Sequence, residues 1–355
     1  MGGPLLPRRR VAGPGRETTP LCSTKYALRN THYAPVRLAT IDLGTNTAQL
    51  LVAERDGAGL RRLHAAERFV RLGEGVDAQG RIGDAAQSRL LDTLRKHVRA
   101  AREHDAESVV VAGTSALRDA ANRDEVCAAV HDQLGVSVEI LSGTEEAAWS
   151  FAAACAAFED LSGPCLVVDV GGGSTELVAG RDPSCHPLSY PDTITDRVSL
   201  DVGCVRLTER CFREEQPPSL EAVETAEQTI DEALASHTLD VGTSPTLIGT
   251  AGTATALARV HAGPHSTWDA LHGGGFSLPH ADVRHWRNRL LQLSVDEILT
   301  LHPDAMEGRA DVFPVGVLLL DRIMAHYDRD ACRVSPYELR HGLALRVVAQ
   351  QNRAQ

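Results

Sequence analysis

The sequence predicts an α/β protein of two homologous domains facing each other across a cleft. Two observations carry the prediction. A strand ending in Asp, a glycine turn with a hydroxyl residue, and a second strand occur at 36–54 and again at 165–180, so that Ile41-Asp42-Leu43-Gly44-Thr45-Asn46-Thr47 answers Val168-Asp169-Val170-Gly171-Gly172-Gly173-Ser174. A third turn, Gly249-Thr250-Ala251-Gly252-Thr253, leads from a strand into a helix. One Asp-x-Gly turn arises easily by chance, whereas two hairpins of one design half a chain apart point to a duplicated unit.

The elements follow in order. A glycine turn between β-type runs makes 36–54 a hairpin. Leu90, Leu91, Leu94, Val98 and Ala101 recur at helical spacing, and Ser108 to Ala112 reads as a short buried strand. Residues 136–141 form another strand, and the segment from Ser142 starts a helix. The pattern restarts at Cys165, and 244–260 supplies the last strand, turn and helix.

Length and composition agree with this plan. A chain of 355 residues with 43% hydrophobic content suffices for about two packed cores. No apolar stretch approaches the roughly 20 residues that cross a bilayer, which excludes a transmembrane protein. A net charge of −11 argues against a general nucleic-acid coat protein, whose affinity rests on Lys and Arg. Eight dispersed cysteines with no C-x-x-C pair fit neither a zinc ribbon nor a disulfide scaffold, so reduced thiols of a cytoplasmic protein are expected. Residues 1–36 are rich in Pro, Gly and Arg, lack an apolar signal-type core, and are expected to be a disordered extension. There Arg8, Arg9, Arg10, Arg16, Lys25 and Arg29 face only Glu17, which leaves the remaining body more acidic than the whole.

Glycine turns let a backbone approach a ligand closely and present consecutive N–H groups to an anion. Thr45, Thr47, Ser174 and Thr175 add hydroxyl donors. Asp42 and Asp169 end their strands at the cleft, where a carboxylate repels phosphate unless a divalent cation lies between them. Mg²⁺ suits such a place, since it takes one or two carboxylates plus phosphate oxygens and water. The alternative is that each Asp caps its own turn. Ser142-Gly143-Thr144-Glu145 fits a capping box, which occupies Glu145 and leaves Glu146, about 100° further round, free to point into the cleft. A carboxylate there can take a proton from an attacking water, or it can simply complement the helix dipole.

In order along the chain, TIDLGTNT, GTSALRDA, SGTEEA, VVDVGGGSTEL, DVGCVRLTE, GTAGTATALA, ADVFPVG and ELRHGLAL resemble the exopolyphosphatase and guanosine pentaphosphate phosphatase family, from about residue 38 onward. The resemblance implies two actin-like (ribonuclease H-like) domains, the first at 37–149 and the second at 150–340, with a helix at 341–355 returning to the first. It implies hydrolysis of a terminal phosphoanhydride bond of inorganic polyphosphate or guanosine pentaphosphate, with Mg²⁺ or Mn²⁺. By position it makes Glu146 the general base and puts Arg118 near the phosphate chain. Asp169 and Glu176, with Asp42, become candidates for the metal. Gly44, Thr45, Asn46, Thr47, Gly171, Gly172, Gly173, Ser174, Thr175, Gly252 and Thr253 become candidates for phosphate binding.

The first loop reads GTNT where many relatives have GSNS, which keeps the hydroxyl. Longer relatives append a helical domain after these two; the chain ends at Gln355 without it, so processive digestion of long polymers is not expected. His261, His265 and His272 lie in a Gly-rich region and are expected to be exposed loop residues rather than metal ligands. No nucleic-acid or membrane partner is implied, and a homodimer stays open. A guanosine pentaphosphate 5′-phosphatase, a non-catalytic sensor of polyphosphate or alarmone, and a kinase or chaperone ATPase of the same superfold are the rivals. The last is disfavoured by the SGxEEA and VRLTE segments.

Overall fold

The computed structural model describes residues 36–56, 59–181, 192–212, 216–267 and 275–354. The expected extension before Val36, His272, Cys22 and Cys185 lie outside these residues.

Each half of the chain opens on an antiparallel meander. In the first, β1 (Arg37–Leu43), β2 (Thr47–Asp56) and β3 (Gly59–Phe69) pair in sequence order. Helices α1 (Val76–Gln79) and α2 (Asp84–Glu103) return the chain to β4 (Ser108–Gly113), which lies parallel to β1. Then α3 (Ser115–Asp119) and α4 (Arg123–Leu134) connect to β5 (Val138–Ile140), parallel to β4. After α5 (Gly143–Ala156) the design repeats with β6 (Cys165–Val170), β7 (Thr175–Gly180) and β8 (Ile194–Leu200). Helices α6 (Cys204–Cys211) and α7 (Leu220–Ala235) lead to β9 (Thr246–Thr250), parallel to β6. The remainder is α8 (Ala251–Ala262), β10 (Ser277–Pro279), α9 (His280–Leu290), α10 (Val295–Leu301), α11 (Pro303–Met306), α12 (Phe313–His326), β11 (Ala331–Val334) and α13 (Leu339–Ala354).

The sheet orders are β3-β2-β1-β4-β5 and β10-β11-β9-β6-β7-β8. Apart from the edge strand β10, the second repeats the first strand for strand, which is the actin-like topology. Residue patterns explain the elements. On α2 the buried positions include Leu90, Leu94, Val98 and Ala101, one stripe facing the first sheet. In contrast β6 and β7 are buried at every position, as strands covered on both faces must be.

Two helices fill the middle. Helix α5 packs on β6, β7 and β9, burying Phe151 completely, while α13 packs on β1 and β2 and against α5. Burying one such aromatic side chain contributes about 1.5–3 kcal/mol. Buried Thr40 on β1 donates to Arg340 O at 2.7 Å, and Thr250 on β9 donates to Tyr337 O at 2.6 Å, so one segment before and within α13 ties both sheets. The turns that follow β1, β4, β6 and β9 consequently open onto one cleft. Among the described residues, no helix is long and apolar enough to cross a membrane, and the six cysteines there are all free.

Candidate active site

The cleft is lined by the turns of both halves. From the first half come Asp42, Gly44, Thr45, Asn46 and Thr47; from the second, Asp169, Gly171, Gly172, Gly173 and Ser174. Gly252 and Thr253, at the start of α8, add to the lining. The two turns nearly touch. A Cβ on Gly173 would stand 2.3 Å from Ser115 Oγ and 2.8 Å from Thr45 Oγ1, so a side chain there would displace those hydroxyls.

Helix α5 aims the candidate base. Ser142 and Glu145 form the reciprocal capping box, with Ser142 N donating to Glu145 Oε2 at 2.9 Å. Glu146, next along the helix, lines the cleft and is only 8% exposed. Arg118, on α3, donates through Nη1 to Glu146 Oε2 at 2.5 Å and through Nη2 to Ser174 Oγ at 3.4 Å. It does not itself line the cleft; it reaches from behind to the base and to the second glycine turn.

Carboxylates crowd this space. Burial pushes the Asp42 carboxyl well above its usual range, and Glu146, Glu338 and Asp169 push it further, with Arg340 opposing. Burial raises Asp169 to about 7 despite a 2.7 Å hydrogen bond from Ser150. It also raises Glu146, against the pull of Arg118, and Glu338, against Arg340. Glu176 is raised well above its usual range by burial and by Glu146 and Asp169. Such a set of like charges is relieved by protons or by a cation.

The residues fit a hard divalent cation in part. Asp42 Oδ1 is buried without a hydrogen-bond partner, so that oxygen does not cap its turn, and Asp169 lines the same cleft. Oxygen ligands of this kind suit Mg²⁺ or Mn²⁺. Among the described residues, however, no three His, Cys, Asp or Glu side chains are placed to hold a metal together. Phosphate oxygens and water would have to complete the ligand set. Two expected site residues lie behind the second glycine turn, outside the cleft lining. Glu176 Oε1 accepts from Ser174 and Ser199 at 2.8 and 2.7 Å, and its carboxyl sits close enough to Glu146 and Asp169 to be raised by both. Thr175 is likewise turned away, its hydroxyl donating to Val202 O at 2.5 Å.

The lining also includes residues that sequence reasoning missed. Thr114 and Ser115 follow β4 as Thr250 and Ala251 follow β9, and the parallel between Gly113-Thr114-Ser115 and Gly249-Thr250-Ala251 was the available signal. Glu338 accepts from Gln49 at 3.1 Å and pairs with Arg340 at 2.6 Å. Arg309 donates to Glu67 at 2.6 Å and to Gly252 O at 3.0 Å. No spacing rule links these distant positions. His261 ends α8 and accepts from Trp286 at 3.2 Å, and His265 is exposed; neither is near the cleft lining.

The chain is similar to known proteins over most of its length. The chain is 36% identical over 328 residues to "Exopolyphosphatase 2" of Mycobacterium tuberculosis, covering 88% of this chain and 98% of that protein. It is 30% identical to a Vibrio atlanticus "Guanosine-5'-triphosphate,3'-diphosphate pyrophosphatase", covering 89% of this chain but 60% of that longer protein. Among solved structures, an exopolyphosphatase-like protein superposes with a TM-score of 0.78 at 32% identity, over 89% of this chain and 98% of the other. An exopolyphosphatase from Cytophaga hutchinsonii also gives 0.78, at 27% identity, with the same coverage of both chains. Residues 51–351 match the Ppx/GppA phosphatase family. The duplicated glycine hairpin, the SGTEEA helix start and these full-length likenesses lead to one identification: the chain belongs to the Ppx/GppA phosphatase family.

Proposed function

We propose that this protein is an exopolyphosphatase, releasing orthophosphate from the terminal phosphoanhydride bond of inorganic polyphosphate. One observation carries the substrate assignment. Exopolyphosphatase 2 matches at 36% identity over 98% of its length, against 30% identity for the Vibrio pyrophosphatase. The site supports the chemistry. Phosphoryl transfer leaves a protein mainly positioning and charge stabilisation, and the terminal phosphate would lie in the cleft against the Thr45 and Gly173 turns, whose N–H groups and hydroxyls supply donors.

Glu146 is the proposed general base. Its carboxylate orients a water and takes its proton at Oε2 or Oε1 as the water attacks in line. Burial raises its basicity, and Arg118 opposes that rise while reaching the phosphate turn at Ser174. The family is metal-dependent; Asp42 and Asp169 would hold a divalent ion, which when bound neutralises phosphate oxygens.

Phosphate release is measured from polyphosphates of graded length and from guanosine pentaphosphate, with wild type and Glu146→Gln. Turnover of short polyphosphate, lost by about 10²–10⁴-fold in Glu146→Gln, supports the reading. Preference for the nucleotide would transfer the assignment to the 5′-phosphatase, and binding of polyphosphate without turnover would make the protein a sensor.

A further inference from the structure

Arg206, on α6 of the second half, bridges the cleft beneath the glycine turns. Its side chain is 14% exposed. Nε donates to Gly173 O at 2.8 Å, Nη1 to Asp77 Oδ1 at 3.0 Å, and Nη2 to Asp119 Oδ2 and, at 3.5 Å, to Ser115 Oγ. One planar group thus joins the second glycine turn to three places in the first half.

Both ends of this bridge are stiff. The start of α6 is fastened to the turn, with Cys204 N donating to Gly171 O at 2.9 Å and Val205 N to Gly172 O at 2.8 Å. The approach is so close that a Cβ on Gly203 would stand 2.4 Å from Gly172 O. Across the cleft, Asp119 directly follows Arg118, and Ser115 lines the site while donating to Asp119 at 3.3 Å. The fork that holds Asp119 therefore holds the segment that carries Arg118. Lys cannot reproduce a rigid fork of this kind.

We propose that Arg206 is a positioning residue for the hydrolysis assigned above, and the inference rests on that reading. It fixes the span between the Gly173 turn and the Arg118 segment, and so the distance between the phosphate grip and the arginine that steadies Glu146. It touches no reacting atom. Arg210, one turn further along α6, is an internal control. It pairs with the same Asp77 at 2.6 and 2.7 Å but holds neither Gly173 nor Asp119.

The full-length chain is compared as wild type, Arg206→Ala, Arg206→Lys and Arg210→Ala. Steady-state kinetics on polyphosphate and amide hydrogen exchange over 113–119 and 171–174 without substrate are the two readouts. Both Arg206 variants are expected to lose kcat by roughly ten- to a hundredfold, with KM changed less than about threefold, because misplacement of about 1 Å costs that much. Both segments should exchange faster. Arg210→Ala should keep kcat within about twofold, since an exposed ion pair contributes little, and should leave both segments protected. Equal losses in Arg206→Ala and Arg210→Ala would reduce Arg206 to an interdomain ion pair, and wild-type kcat or unchanged exchange in Arg206→Lys would overturn the proposal. If Arg206→Ala does not fold by circular dichroism, Arg206→Lys decides. If wild type fails to cleave polyphosphate, the functional reading falls, and hydrogen exchange still decides whether Arg206 fixes the span.

Discussion

Arg118 Nη1 lies 2.5 Å from Glu146 Oε2, so a guanidinium from the first half holds the carboxylate proposed as base at the mouth of α5. The pair sits in a cleft where burial also raises the carboxyls of Asp42, Asp169 and Glu338. Burial raises the Glu146 carboxyl, and Arg118 is the opposing influence. Removing the arginine therefore raises it further. In Arg118→Ala the base stays protonated to higher pH, and the acid limb of the pH–kcat profile should move towards alkali, with activity partly recovered above neutrality. A profile whose limb stays in place while kcat falls would show that Arg118 does not set the ionisation of Glu146.

Asp169 couples the same crowding to stability. Its carboxyl titrates near 7 in the folded chain, against an ordinary value of 3.8, with burial as the first cause. Between those values the folded state holds a proton that the unfolded state has released. Stability contributed by this group is thus present at low pH and lost as pH rises through about 7. In chelator, Tm should fall from pH 5 to pH 8 by roughly 3 °C or more. Asp169→Asn, which cannot ionise, should flatten that slope while abolishing turnover. An unchanged slope in Asp169→Asn would place the titration elsewhere.

Much of this site was legible in the sequence, and the boundary has a physical reason. Local signals were readable because they depend on neighbours in the chain. The Ser142/Glu145 capping box assigned Glu146 to the cleft, and the repeated Asp-x-Gly hairpin foretold two sheets of one order. The partners of Glu176 and Thr175 were not legible, because strand alternation alone does not say which polar side chain a neighbouring strand captures. Ser199 on β8 and the Val202 carbonyl took them. Glu338 and Arg309 reach the cleft from the far end of the chain, through tertiary packing that no local period encodes. The repeat would have yielded Ser115, had the Gly113 turn been compared with the Gly249 turn.

The closeness of the two turns is itself testable. Gly173→Ala places a methyl group 2.3 Å from Ser115 Oγ and 2.8 Å from Thr45 Oγ1. Ser115 and Thr45 must shift to admit it. Overpacking of this kind costs about 1–3 kcal/mol of stability, and a misaligned grip should cost kcat roughly ten- to a hundredfold. Gly83→Ala is the control, because a Cβ there meets nothing within 4 Å. Should Gly173→Ala retain full kcat, the turns are not held at catalytic spacing by contact.

Glu67 gives the last prediction. It lines the cleft and pairs with Arg309 at 2.6 Å, yet has no part in the proposed proton transfer. A polyanionic substrate entering a lining that already holds Asp42, Glu146, Asp169 and Glu338 meets one more negative charge there. Glu67→Gln removes it and keeps the amide oxygen as an acceptor for Arg309. In a water-rich cleft one unit charge about 4 Å away is worth about 1 kcal/mol. The KM for polyphosphate should fall about fivefold at low salt, with kcat little changed, and the difference should shrink as ionic strength rises. A raised KM would mean that Glu67 is needed to hold Arg309 in place, and that its orienting role outweighs its charge.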